Sequence, residues 1–152
     1  MVVTHPYCDP DTPWMSPAWG ELFDGVRELP GKRDAARVIE YLRTCTRRRF
    51  PMRDSTPWCS AFVCWCVEQV GIESTRDPAA RSWLTWGRAA LPRVGAVVIF
   101  PRPPLPWSGH VGFVSHVDGG AIGVLGGNQS NAVSIVRRRR SDALGYRWPI
   151  DM

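Results

Sequence analysis

Apolar positions along the chain change their period once, near residue 95: before it they recur at helical spacing, and after it they fall in short runs of the strand type. Ser16 can cap a first helix and Pro17 can occupy its first position, with Trp19, Leu22, Phe23 and Val26 on one face until Pro30 and Gly31. A second helix carries Ala35, Val38, Ile39 and Leu42. The third opens at Thr56 and Pro57, lines up Phe62, Val63, Cys66, Val67 and Val70, and meets Gly71 where a left-handed cap belongs. A short helix fits residues 77–87. Strands are expected at 96–100, 111–117, 122–125, 133–136 and 146–148.

Helices first and strands last predict an α+β fold. Its sheet should be antiparallel, because connections this short cannot hold helical crossovers. Residues 1–15, rich in proline and aspartate, read as an irregular arm ahead of one domain over 16–152.

Composition narrows the class. A length of 152 residues suits one compact domain, and 44% hydrophobic with 22% charged residues is a globular balance. No apolar run approaches the roughly 20 residues that span a bilayer, so a soluble protein is expected. Residues 1–7 lack a basic segment followed by a long apolar one, so no Sec signal peptide is expected. The five cysteines are odd in number and irregularly spaced, unlike a disulfide framework, and are expected to be reduced.

Basic residues outnumber acidic ones by 19 to 14, and Lys32 is the only lysine. Arginine suits anionic partners such as wall or membrane phosphates. Strand alternation would send Arg137, Arg138, Arg139 and Arg140 to opposite faces, so they form no single clamp. No zinc pattern, phosphate-binding glycine loop or helix-turn-helix accompanies them, so neither specific nucleic-acid binding, a metal nor another cofactor is called for. A monomer is expected.

Cys59 falls near the third position of the helix begun by Pro57, where free N–H groups and the helix dipole favour a thiolate. Cys64 and Cys66 lie two apart on the same helix and point in nearly opposite directions, which suits core filling and excludes a shared disulfide or metal. A thiolate acting on an amide needs a base, and histidine is the expected one. His5 lies in the irregular arm. His110 stands at the mouth of a strand after the proline-rich loop 101–107, while His116 lies roughly 20 Å further along and nearer a hairpin turn. His110 is therefore the better partner.

A third group should orient the imidazole. If Asp118, Gly119 and Gly120 form a three-residue loop, Asn128 falls opposite His110; a two-residue loop of Gly119 and Gly120 puts Gln129 there instead. Among the eight tryptophans, Trp58 and Trp107 lie where they could line the rim of such a site, whereas Trp19, Trp65 and Trp148 suit core packing.

Four ordered segments carry a resemblance: Thr56 to Val63, Ala80 to Gly87, Gly109 to Phe113 and Leu125 to Asn131. Together they resemble small phage and bacterial cell-wall hydrolases of the NlpC/P60 and CHAP superfamily, over roughly residues 17–149. The resemblance implies a papain-like core in which Cys59 faces His110 and Asn128 holds the third position; Trp58, Trp107 and Gln129, beside those motifs, are expected to bind substrate. It implies an endopeptidase that cuts an amide of the peptidoglycan stem. The alternatives are an N-acetylmuramoyl-L-alanine amidase of the same fold and a non-catalytic wall-binding or virion structural module. Relatives often carry a glutamate two residues before the asparagine, where this chain has Gly126. An antibacterial endolysin of this kind would be made in the cytoplasm and reach the wall by holin release, phage delivery or injection.

Overall fold

A computed structural model describes residues 9–151; His5 and Cys8 lie outside them, as does most of the expected arm. Three helices come first: α1 (Met15–Phe23), α2 (Ala36–Leu42) and α3 (Cys59–Gln69). A 3-10 turn at Ala80–Thr85 leads into strands β1 (Arg88–Ala89), β2 (Val97–Pro101), β3 (Gly109–Asp118), β4 (Ala121–Gln129) and β5 (Ala132–Arg139). A second 3-10 turn, Arg140–Asp142, returns the chain to β6 (Gly145–Trp148). The six strands form one antiparallel sheet in the order β1-β6-β2-β3-β4-β5. The expected α+β class is what the chain adopts.

Several boundaries differ from the expected ones. Helix α1 stops at Phe23 because Gly25, at φ 69, turns the chain away, and the carbonyl of Val26 accepts the Val133 N–H at the sheet edge. The expected helix over 77–87 is only the 3-10 turn. β1 is two exposed residues with no apolar pattern, so nothing in the sequence announces it. Backbone pairing also carries β4 and β5 past their apolar runs, to Gln129 and Arg139.

Every residue of α3 from Cys59 to Val67 is buried, not only the expected stripe. The reason is that α3 lies between two layers. On one side Phe62 meets Phe113 of β3 edge-on, with ring centroids 6.4 Å apart. On the other, Tyr41 of α2 packs on Trp58, Phe62 and Trp65 at 5.8, 5.4 and 5.2 Å. The Tyr41 hydroxyl donates to buried Glu21, which also pairs with Arg37 at 2.9 Å. Truncating Phe62 at the centre of this stack would cost about 3–5 kcal/mol. Cys64 and Cys66 are fully buried core fillers, though Cys64 also contacts Cys45.

Candidate functional site

The start of α3 is fixed from three sides. The Ser60 hydroxyl donates to the Asp77 carbonyl at 2.6 Å and accepts from the Trp83 indole N–H at 2.9 Å. The Trp58 indole donates to Glu28 at 2.9 Å. Buried Asp54 accepts the N–H groups of Leu29 and Ala35, tying down the loop that feeds the helix.

Cys59 is the first residue of α3, two positions later in the chain than the expected start at Pro57. The first helical bond runs from the Phe62 N–H to the Trp58 carbonyl at 3.0 Å, so the N–H groups of Cys59, Ser60 and Ala61 have no partner within the helix. Those of Cys59 and Ser60, together with the Val111 N–H of β3, approach the Cys59 sulfur and favour its anion, as does the Arg102 guanidinium. Burial outweighs them. With Cys59 only 3% exposed, loss of water raises the thiol pKa above its ordinary value. This corrects the expected thiolate: the helix start supplies the right donors, but the resting group is a thiol.

His110 stands next to Val111 at the start of β3, directly opposite Phe100 of β2. Burial, then the positive charges of Arg138 and Arg102, hold its pKa below the usual histidine value against the effect of Gln129. The imidazole is a neutral base at rest. Among the described residues no formed hydrogen bond joins it to the Cys59 thiol; they share Val111 and Arg102 as neighbours. In a free enzyme such contacts are often long and tighten around substrate.

The group that holds the imidazole is Gln129, whose Oε1 lies 2.9 Å from His110 Nε2. The Gln129 amide nitrogen donates to the carbonyls of Val124 and Ser134 at 3.1 and 2.7 Å. Two acceptors on that side force the amide oxygen toward His110. Since a carbonyl oxygen only accepts, His110 Nε2 must carry the proton, which leaves Nδ1 as the basic nitrogen.

Asn128 does not take this place. Asp118 pairs with Ala121 across a two-residue Gly119-Gly120 loop, the alternative that pointed to Gln129. The route is less direct than a regular ladder, because β3 bulges between Val114 and His116 and β4 bulges between Gly126 and Gln129. In the second bulge Asn128 sits at φ 57 and makes no side-chain hydrogen bond among the described residues. An extra residue there re-aims the side chain that follows.

Two glycines make this bulge fit. A Cβ on Gly127 would lie 2.7 Å from both Phe62 and the Trp58 ring, so the bulge rests flat on the start of α3. A Cβ on Gly126 would lie 3.0 Å from Gln129 Oε1 and 3.5 Å from His110 Nε2. Gly126 thus leaves room for the Gln129 amide.

The remaining expected site residues are scattered. Trp58 is wholly buried and cannot line a substrate rim, and Gln129, also buried, is engaged on the imidazole and two carbonyls instead of facing substrate. Trp107 is 70% exposed on the proline-rich loop. His116 is exposed beside the hairpin, bonded to Ser115. A cavity of about 780 Å³ lined by Ser74, Thr75, Asp77 and Trp86 touches neither Cys59 nor His110. Among the described residues no cluster of three or more potential metal ligands occurs. Sequence reasoning missed Ser134 and Arg138, which only the folding of β5 brings into play.

The arrangement holds a buried thiol and a neutral, oriented imidazole around Val111 and Arg102, beside helix N–H groups that lack intrahelical partners and suit a developing oxyanion. A model of the CHAP domain family matches residues 51–128, just over half of the chain, including Cys59 and His110. No curated protein matches the chain significantly.

Proposed function

Because this chain belongs to the CHAP domain family, which suggests a peptidoglycan hydrolase or amidase-type function, we propose that it is an endopeptidase cutting an amide of the peptide stem through Cys59. The observation that supports a thiol–imidazole mechanism is the Gln129 amide, held by two carbonyls so that its oxygen accepts from His110 Nε2. An imidazole held in that tautomer presents Nδ1 as a base.

In the proposed reaction, substrate closes the gap between the side chains and His110 takes the Cys59 thiol proton as the sulfur attacks the stem carbonyl. The oxyanion is met by the N–H groups at the start of α3. Collapse breaks the C–N bond, His110 returns the proton to the leaving amine, and an acyl-enzyme thioester remains. Water, deprotonated by the imidazole, then releases the acid and restores the thiol. The resting pair is neutral, so the ion pair forms only during attack; this fits a raised thiol pKa beside a lowered histidine pKa.

Purified protein should clear a suspension of peptidoglycan or a wall-impregnated gel, and Cys59→Ala should abolish clearing while melting cooperatively. Undiminished lysis by Cys59→Ala would refute the nucleophile. Binding to peptidoglycan with no lysis by either protein would favour a non-catalytic wall-binding module.

A further inference from the structure

Two arginines near His110 have no acidic partner among the described residues. Phe100 lies directly opposite His110 in the β2–β3 register, so the two side chains share one face of the sheet. The guanidinium carbon of Arg138 stands 4.0 Å over the centre of the Phe100 ring. Arg102 follows two residues after Phe100, just beyond the Pro101–Gly109 pair that ends β2. Both arginines act electrostatically on the imidazole, and Arg102 acts on the Cys59 thiol as well. Arg137, one residue away on the opposite face, is paired with Asp118 at 3.0 Å; among the described residues no salt bridge neutralises Arg102 or Arg138.

Two uncompensated cations beside a group that must become an imidazolium oppose the first step of catalysis. An anion seated between them would remove that opposition. The planar guanidinium fork matches a carboxylate with two parallel hydrogen bonds, and a peptide stem carries carboxylates close to its amides. We propose that Arg102 and Arg138 form a carboxylate-binding subsite beside His110, by which the enzyme prefers stem amides flanked by a free carboxylate over those whose carboxylate is amidated. The proposal rests on the hydrolase reading and adds to it what the substrate must carry. The bound carboxylate then serves two ends: it orients the stem, and it returns the local field toward neutrality when His110 takes the proton.

Two synthetic stems test this, identical except that one bears a carboxylate and the other a carboxamide beside the cleaved amide. For the wild type, kcat/KM should favour the carboxylate stem by on the order of tenfold to a hundredfold, the scale of one charge-assisted hydrogen bond. Arg102→Gln and Arg138→Gln should each bring that ratio toward one by loss on the carboxylate stem, and Arg102→Lys should keep part of it. The wild-type ratio should also shrink with added salt, because Arg102 is exposed, and this arm needs no variant to fold. A wild-type ratio near one, or a ratio that neither salt nor the glutamine variants move, overturns the subsite and leaves the hydrolase reading standing. Cleavage of neither stem, by protein that also fails to clear peptidoglycan, overturns the hydrolase reading and the subsite with it.

Discussion

Replacing Gln129 by alanine removes three main hydrogen bonds at once, the one it accepts from His110 and the two it donates to the carbonyls of Val124 and Ser134, together with a longer, shared one at 3.3 Å to the Ser134 hydroxyl. At about 1 kcal/mol net for each, the loss of stability is roughly 3 kcal/mol, since two buried carbonyls also lose a donor. For a domain of this size that is a fall in Tm of roughly 5–12 °C. The catalytic loss is separate. An imidazole free to turn presents the wrong nitrogen to the thiol, and misplacement on that scale costs on the order of a hundredfold in kcat/KM.

The control is Asn128→Gly, which deletes the neighbouring amide but accepts φ 57 without strain. It should leave Tm and kcat/KM nearly unchanged, within about 0.5 kcal/mol in free energy. Cleavage of a fluorogenic stem peptide at 25 °C, below both melting points, separates the two effects, and circular dichroism melts supply Tm. A hundredfold loss in Asn128→Gly with near-normal activity in Gln129→Ala would refute the assignment of Gln129 as the orienting group.

Three further outcomes follow from the site. Gly126→Ala should lower kcat/KM and lower Tm by less than Gln129→Ala, because its Cβ would crowd Gln129 Oε1 at 3.0 Å and press on an amide held by other hydrogen bonds; unchanged activity would show that the amide has slack. Gly127→Ala should instead destabilise the fold by about 1–3 kcal/mol, read from a denaturant midpoint, since its Cβ would meet Trp58 and Phe62 at 2.7 Å. Burial and two arginines depress the His110 pKa, so its share of stability is full above the unfolded value of about 6.5 and is lost as pH falls through the lower folded pKa. Melts from pH 7 to pH 4.5 should show wild type losing more Tm than His110→Gln, and the acid limb of kcat/KM should fall below pH 6.5; a limb above it would contradict the depressed base.

The order of helices and strands was legible because amphipathic spacing and strand runs lie in separate halves of the chain. The helix start that carries Cys59 and the strand start that carries His110 were legible in the sequence, and four ordered segments pointed to one superfamily. The orienting residue was only half legible. Register arithmetic left Asn128 and Gln129 open, because it rests on loop length and cannot see two bulges, one at Ser115 and one at Gly127 and Asn128. Trp58 misled for a different reason: a tryptophan beside a nucleophile reads as a substrate platform, yet α2 covers it from outside. Nor did the spacing of the arginines reveal Arg138, which stands over Phe100 of β2 only because the chain returns from β5 to β6 beside that strand through the short turn at Arg140–Asp142.

Mass spectrometry of muropeptides released from purified peptidoglycan tests the central claim most directly. Wild-type protein should yield fragments that gain one water per cut at a stem amide, with a new amine and a new carboxylate, while Cys59→Ala of intact fold yields none. Stem amides left intact by folded wild-type protein, or cuts that appear equally with Cys59→Ala, would contradict a thiol amide hydrolase.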